Sequence, residues 1–246
     1  MEIFFIAIIA LIFGSFATCI SYRVVRGEDW MFVRSKCPKC GVKLSIRNLA
    51  PLFSWLFQKG RCSKCHAKIS PRYPMVELLF LIIFLTIYFA LYQKIDTKFV
   101  ILCLVATIFI IMSIIDIEKY FIPDILQVTL VLLAVGFAIA DVGFARSFDN
   151  FLAALLLVAS AFILYYLFYI ITKKAALGID DIKLLFAIGL LLGFSKLVIF
   201  TFFAGLFGMI FGSIWIKLKK EKTFPFAPAL CTAAFVSLFI NTNFYL

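Results

Sequence analysis

The stretch EIFFIAIIALIFGSFATCISY, residues 2–22, decides the class of this chain. It carries a single charge, at Glu2, over a length that crosses a hydrocarbon layer, for which a helix needs about 20 apolar residues. A secretory signal peptide opens on basic residues; Glu2 stands where they belong, so the segment reads as a retained helix. Seven further apolar stretches follow, at roughly 75–93, 98–117, 121–141, 150–172, 181–195, 197–216 and 223–244, that at 181–195 being short. With 65% hydrophobic residues among 246, an ordinary soluble globule is excluded. The expected fold is an all-α integral membrane protein of about eight transmembrane helices, with a zinc-ribbon-like cytoplasmic loop between the first two.

Charge sets the expected orientation. The segment from 23 to 73 holds twelve of the 24 Lys and Arg residues, and loops of that kind stay in the cytoplasm. Alternating from there places 20 basic residues inside and four outside, Lys94, Lys98, Arg146 and Lys196. Both termini are then expected outside. The net charge of +11 follows from this topology and from an anionic cytoplasmic leaflet; nucleic acid is not the expected partner, whereas the lipid bilayer is.

The 23–73 loop reads KCPKCGVKL at 36–44 and GRCSKCHAKI at 60–69. Cys37, Cys40, Cys62 and Cys65 thus form two C-x-x-C knuckles 21 residues apart, the spacing at which two tight turns each present two thiolates to a tetrahedral metal. A pair of disulfides, or four unrelated thiols, is the competing account, and a reducing cytoplasm disfavours the disulfides. So short a loop buries little, so a metal crosslink would supply folding free energy, and four protein ligands leave no open position for catalysis. The expected metal is structural zinc. Cys19, Cys103 and Cys231 lie in apolar segments as small hydrophobes. His66 is the lone histidine, an alternative ligand or a loop residue, and its solitude removes the imidazole base that serine and cysteine hydrolases use.

The informative carboxylates fall at the ends of apolar stretches. SIIDIEKYFIPDIL, 113–126, puts Asp116 at the cytoplasmic end of the third stretch and Asp124, after Pro123, at the start of the fourth. LGIDDIKLL, 177–185, puts Asp180 and Asp181 at another cytoplasmic helix start, with Asp180 suited to an N-cap. Ionisable groups at membrane depth are functional candidates, and two carboxyls sharing a proton divide acid and base roles. Simpler roles compete: Asp124 and Asp180 as caps, Asp116 paired with Lys119 or Lys183, and Glu77 as a first-turn residue favoured by the helix dipole.

In order along the chain, GSFATCISYR (14–23), the two knuckles with PLFSWL (51–56), GRC (60–62) and ISPRYPMVE (69–77), Asp116 with Ile122–Pro123–Asp124, and Gly178 to Lys183 resemble the bacterial type IV prepilin peptidases, membrane aspartyl proteases of the GxGD type. Three positions depart from the family pattern: Asp180 replaces its second glycine, so that Asp181 matches the catalytic aspartate, Thr18 stands where Asn is common, and Asn48 where Asp is common. The resemblance implies cleavage of a short basic leader from prepilins or pseudopilins at the cytoplasmic face of the bacterial inner membrane, with Asp116 and Asp181 catalytic. It also implies N-methylation of the freed terminus with S-adenosylmethionine as donor, associated with the cysteine-loop portion. No nucleotide cradle is recognisable, and Gly60 with its basic neighbours is the candidate region. The division it suggests is 1–97, holding the first helix, the zinc loop and the second helix, and 98–246, a six-helix peptidase core. Two other classes compete. A proton- or cation-coupled transporter would use the paired carboxylates at a midplane site within an internal repeat; an assembly factor docking through the zinc loop would not need them.

Overall fold

The structure, a computed structural model, describes residues 1–29, 34–90, 95–144, 147–173, 177–220 and 223–240, without the side chains of residues 46 and 47. Among these residues the chain is helical, with two isolated β-bridges and no strand. It divides into two compact units, Met1–Lys94 and Ile95–Leu246.

In the first unit, α1 (Glu2–Arg26) and α3 (Arg72–Ala90) pack together. Glu2 in the first turn of α1 and Arg23 and Arg26 in the last suit the helix dipole. Left-handed Gly27 ends the helix, where the N–H groups of Gly27 and Glu28 return to the carbonyls of Val24 and Arg23. The close approach of α1 and α3 needs a glycine: a Cβ on Gly14 would lie 2.7 Å from the Cα of Glu77. Between them lie a 3₁₀ turn at Ile46–Leu49 and the five-residue helix α2 (Phe53–Phe57).

The second unit runs through α4 (Thr97–Lys119), α5 (Asp124–Val142), α6 (Ser147–Thr172), α7 (Ile179–Leu192), α8 (Phe194–Lys219) and α9 (Ala227–Phe239). Asp96 caps α4 by accepting the Phe99 N–H at 2.8 Å. Helices α4 and α7 form the middle of this unit. Nine of the 14 residues of α7 are buried, against α5, α6 and α9, and beyond Lys183 the helix is apolar on every face. A Cβ on Gly189 would stand 2.5 Å from the Cα of Ala154, so α6 and α7 touch backbone to backbone.

Among the described residues six helices, α1, α3, α4, α5, α6 and α8, are long and apolar enough to cross a membrane. The other two expected spans are shorter. α7 has 14 residues because Gly193 turns the chain directly into α8; α9 has 13 because 223–226 is irregular before its first turn, and 241–246 lies outside the described residues. At 1.5 Å per residue these two helices are about 20 Å long, against about 39 Å for α6 and α8. The end shared by α7 and α9 is therefore recessed between longer neighbours.

Candidate active site and metal centre

The two knuckles repeat one design. Cys37 N–H donates to the Val42 carbonyl and Gly41 N–H to the Cys37 carbonyl; Cys62 and His66 make the same bonds to Ala67 and Cys62. Gly41 and His66 occupy equivalent left-handed positions, at φ 70° and 56°. His66 is thus an exposed loop residue outside the cysteine cluster. The four sulfurs of Cys37, Cys40, Cys62 and Cys65 lie within 4.8 Å of one another, and all four are free thiols, which sets aside the disulfide account. Backbone N–H groups of Cys65 and Lys64 aimed at the Cys62 sulfur pull its thiol down to about 6, and those of Cys40 and Lys39 lower Cys37 likewise. A convergent set of four thiolates with this backbone support fits a tetrahedral soft metal.

Gly60, at φ 66°, packs against the Trp55 ring, where a Cβ would come to 3.0 Å. This contact explains the glycine without a methyl donor. Glu77 is not a first-turn residue: it is buried in the second turn of α3 and accepts the Leu52 N–H at 2.6 Å.

In the second unit the carboxylates collect at the recessed end. Asp116, one turn before the end of α4, is 6% exposed. Its Oδ2 accepts the Ala227 N–H at 3.0 Å, at the first residue of α9. That bond answers what Asp116 pairs with, and neither Lys119 nor Lys183 is involved. The loop that delivers Ala227 is fastened to α8, since Phe226 and Phe224 lie over Gly208 and Gly212, where added Cβ atoms would meet the rings at 2.7 and 3.0 Å.

Asp180 and Asp181 take separate directions, as neighbours about 100° apart on a helix must. Asp181 turns back and accepts the Gly178 N–H at 3.2 Å through Oδ2. Asp180 is not the N-cap; Gly178 is. Instead, Oδ2 of Asp180 accepts the Ile122 N–H at 3.3 Å, joining the α4–α5 turn to the start of α7, while Lys183 lies 3.4 Å from its Oδ1. Lys183 makes its shorter ion pair with Asp124, at 2.6 Å. Asp116 near the end of α4, Asp124 at the start of α5, and Asp180 and Asp181 at the start of α7 therefore collect at one end of the bundle, where Asp180 and Asp124 act as struts through Ile122 and Lys183.

Sequence reasoning missed Ala227. Its signal was FPFAPAL, 224–230, in which two prolines flank a helix start inside an apolar stretch. It also missed the backbone contact at Gly189, for which a single glycine in an apolar run gave no partner.

Comparison with known proteins bears on both units. Residues 8–91 match the Bacterial Peptidase A24 N-terminal domain and residues 103–213 the Type IV leader peptidase family. The chain is similar to a prepilin leader peptidase/N-methyltransferase of Aeromonas salmonicida, at 34% identity over 85% of this chain and 72% of the relative. It is similar also to those of Dichelobacter nodosus, at 30% over 96% and 91%, and Neisseria gonorrhoeae, at 28% over 96% and 90%. No solved structure matches.

Proposed function

Because the chain belongs to the type IV leader peptidase family, and is thus a multi-pass membrane protease that cleaves prepilin leaders, we propose that Asp116 and Asp181 are its catalytic pair. The transporter alternative has no support in these relationships. The observation that supports the assignment is that both carboxyls lie at the same end of the second unit, each with Oδ2 accepting a backbone N–H, from Ala227 and from Gly178.

One carboxylate takes a proton from a water between the pair as its oxygen attacks the scissile carbonyl, and the other, protonated, gives its proton to the carbonyl oxygen, forming a diol. The diol collapses as the C–N bond breaks: the departing amine takes the proton from the first carboxyl, and one diol hydroxyl returns a proton to the second. The free acid and carboxylate are restored, and no metal is needed for any step.

The cysteine loop and the recessed end of the second unit are assigned to the cytoplasmic side by the basic residues of 23–73, with both termini opposite. Cys37, Cys40, Cys62 and Cys65 would hold zinc, which supplies a crosslink between the knuckles. The relatives' second name supports N-methylation of the freed terminus, with S-adenosylmethionine supplying the methyl group. This work is assigned to residues 1–97 and cleavage to 98–246.

The test is cleavage of a prepilin by liposome-reconstituted wild type, Asp116→Asn and Asp181→Asn. Loss in both variants, with unchanged melting, is the expected result. Normal cleavage by either removes that residue from the pair.

A further inference from the structure

Residues 49–57 place large apolar side chains on the outside of the first unit: Leu49 is 40%, Phe53 54%, Leu56 56% and Phe57 84% exposed. A cluster of this kind marks an interaction surface. Its depth follows from the register of α1 on α3. Tyr88 donates its hydroxyl to Glu2 at 2.6 Å, and Gly14 abuts the backbone of Glu77, so the helices are antiparallel with those pairs level. The rise from Glu2 to Gly14 is about 18 Å, and that from Tyr88 to Glu77 about 17 Å, at 1.5 Å per residue.

Leu52 is fixed at this level, because its N–H is held by the Glu77 carboxylate. The glutamate side chain leans toward the start of α3 and adds only a few ångströms, roughly 20 Å in total from the level of Glu2. With a hydrocarbon core of about 30 Å and charged Glu2 at one boundary, the opposite boundary falls roughly 10 Å beyond Leu52. On α1 that is the level of Ile20 to Tyr22, where the apolar run ends.

We propose that residues 49–57 are embedded in the leaflet on the cysteine-loop side, with Leu49, Phe53, Leu56 and Phe57 against lipid acyl chains. Backbone at this depth must satisfy its own polar groups. Four of these groups are satisfied within the unit: the N–H groups of Phe53, Ser54 and Leu56 donate to carbonyls of 50–52, and that of Leu52 to Glu77. Leu52 adopts a left-handed φ of 61°, unusual for a branched side chain, and the short bond to Glu77 holds it there. A groove of 380 Å³ lined by Phe53 and Phe57, with Asn48, Ser54 and Gln58 as its polar members, lies beside them. The residues that follow include Lys59, Arg61 and Lys64, all exposed, a charge sequence that suits anionic headgroups above an apolar insertion.

The test uses the full chain in phosphatidylethanolamine/phosphatidylglycerol liposomes, with Phe57, Leu79 or Lys64 replaced in turn by p-benzoylphenylalanine and irradiated. Leu79 is an outward residue of α3, 42% exposed, and Lys64 lies on the second knuckle. Lipid adducts at Phe57 and Leu79, with loss of the adduct at Lys64, are expected. An adduct at Leu79 with none at Phe57 overturns the proposal, as does cross-linking of Phe57 to a second protein in place of lipid.

Discussion

Replacing Asp180 by Asn isolates the question posed by two adjacent aspartates. The substitution keeps an amide oxygen to accept the Ile122 N–H, now 3.3 Å from Oδ2, and removes the charge facing Lys183 at 3.4 Å. Both side chains of that pair are over a third exposed at 35% or more, and Lys183 retains Asp124 at 2.6 Å. An exposed pair of this kind contributes about 1 kcal/mol at most, so kcat/KM for leader cleavage should fall by less than about fivefold. Asp181→Asn removes a group proposed to move a proton, and the expected loss is about 10²-fold to 10⁴-fold. The assay is gel-resolved prepilin cleavage in liposomes, with melting curves of the same preparations. Should Asp180→Asn be folded and inactive while Asp181→Asn cleaves, the two residues exchange roles and the reasoning fails.

Gly189→Val drives a side chain into the backbone of α6, where even a Cβ would meet Ala154 at 2.5 Å. A destabilisation of about 1–3 kcal/mol is expected, seen as a lowered melting temperature with reduced cleavage. Glu77→Leu leaves the Leu52 N–H without its acceptor and should cost about 1–3 kcal/mol in the same measurement, whereas Glu77→Gln retains an acceptor and should cost less. Cys62→Ser should abolish the metal content measured by atomic emission and expose residues 34–69 to added protease; Cys19→Ser, outside the sulfur cluster, should leave the metal content unchanged.

The cysteine centre was legible because its ligands come in local pairs, and the knuckle bonds close within six residues of chain. The helices were legible from apolar length, except where tertiary structure shortened them at Gly193 and before Ala227. Asp180 was misread as a cap because local propensity favours that role, whereas its partner, Ile122, lies 58 positions earlier. Asp116 and Ala227 are 111 positions apart and joined through a backbone N–H, which has no residue-type signature at all. The depth of α2 was equally hidden, since it depends on which carboxylate of an apolar helix holds a loop amide.

The brevity of α7 bears on how the protein is made. Fourteen residues, with Asp180, Asp181 and Lys183 in the first two turns, form too weak a hydrophobic signal for insertion as a solitary span. Gly193 joins it without a linker to α8, 26 residues long, so the two enter the bilayer as a hairpin led by α8. α7 then settles only when α5, α6 and α9 are present to cover it. Assembly of the aspartate pair is accordingly a late event in biogenesis, and a nascent chain stalled before α9 emerges is expected to be inserted yet unable to cut.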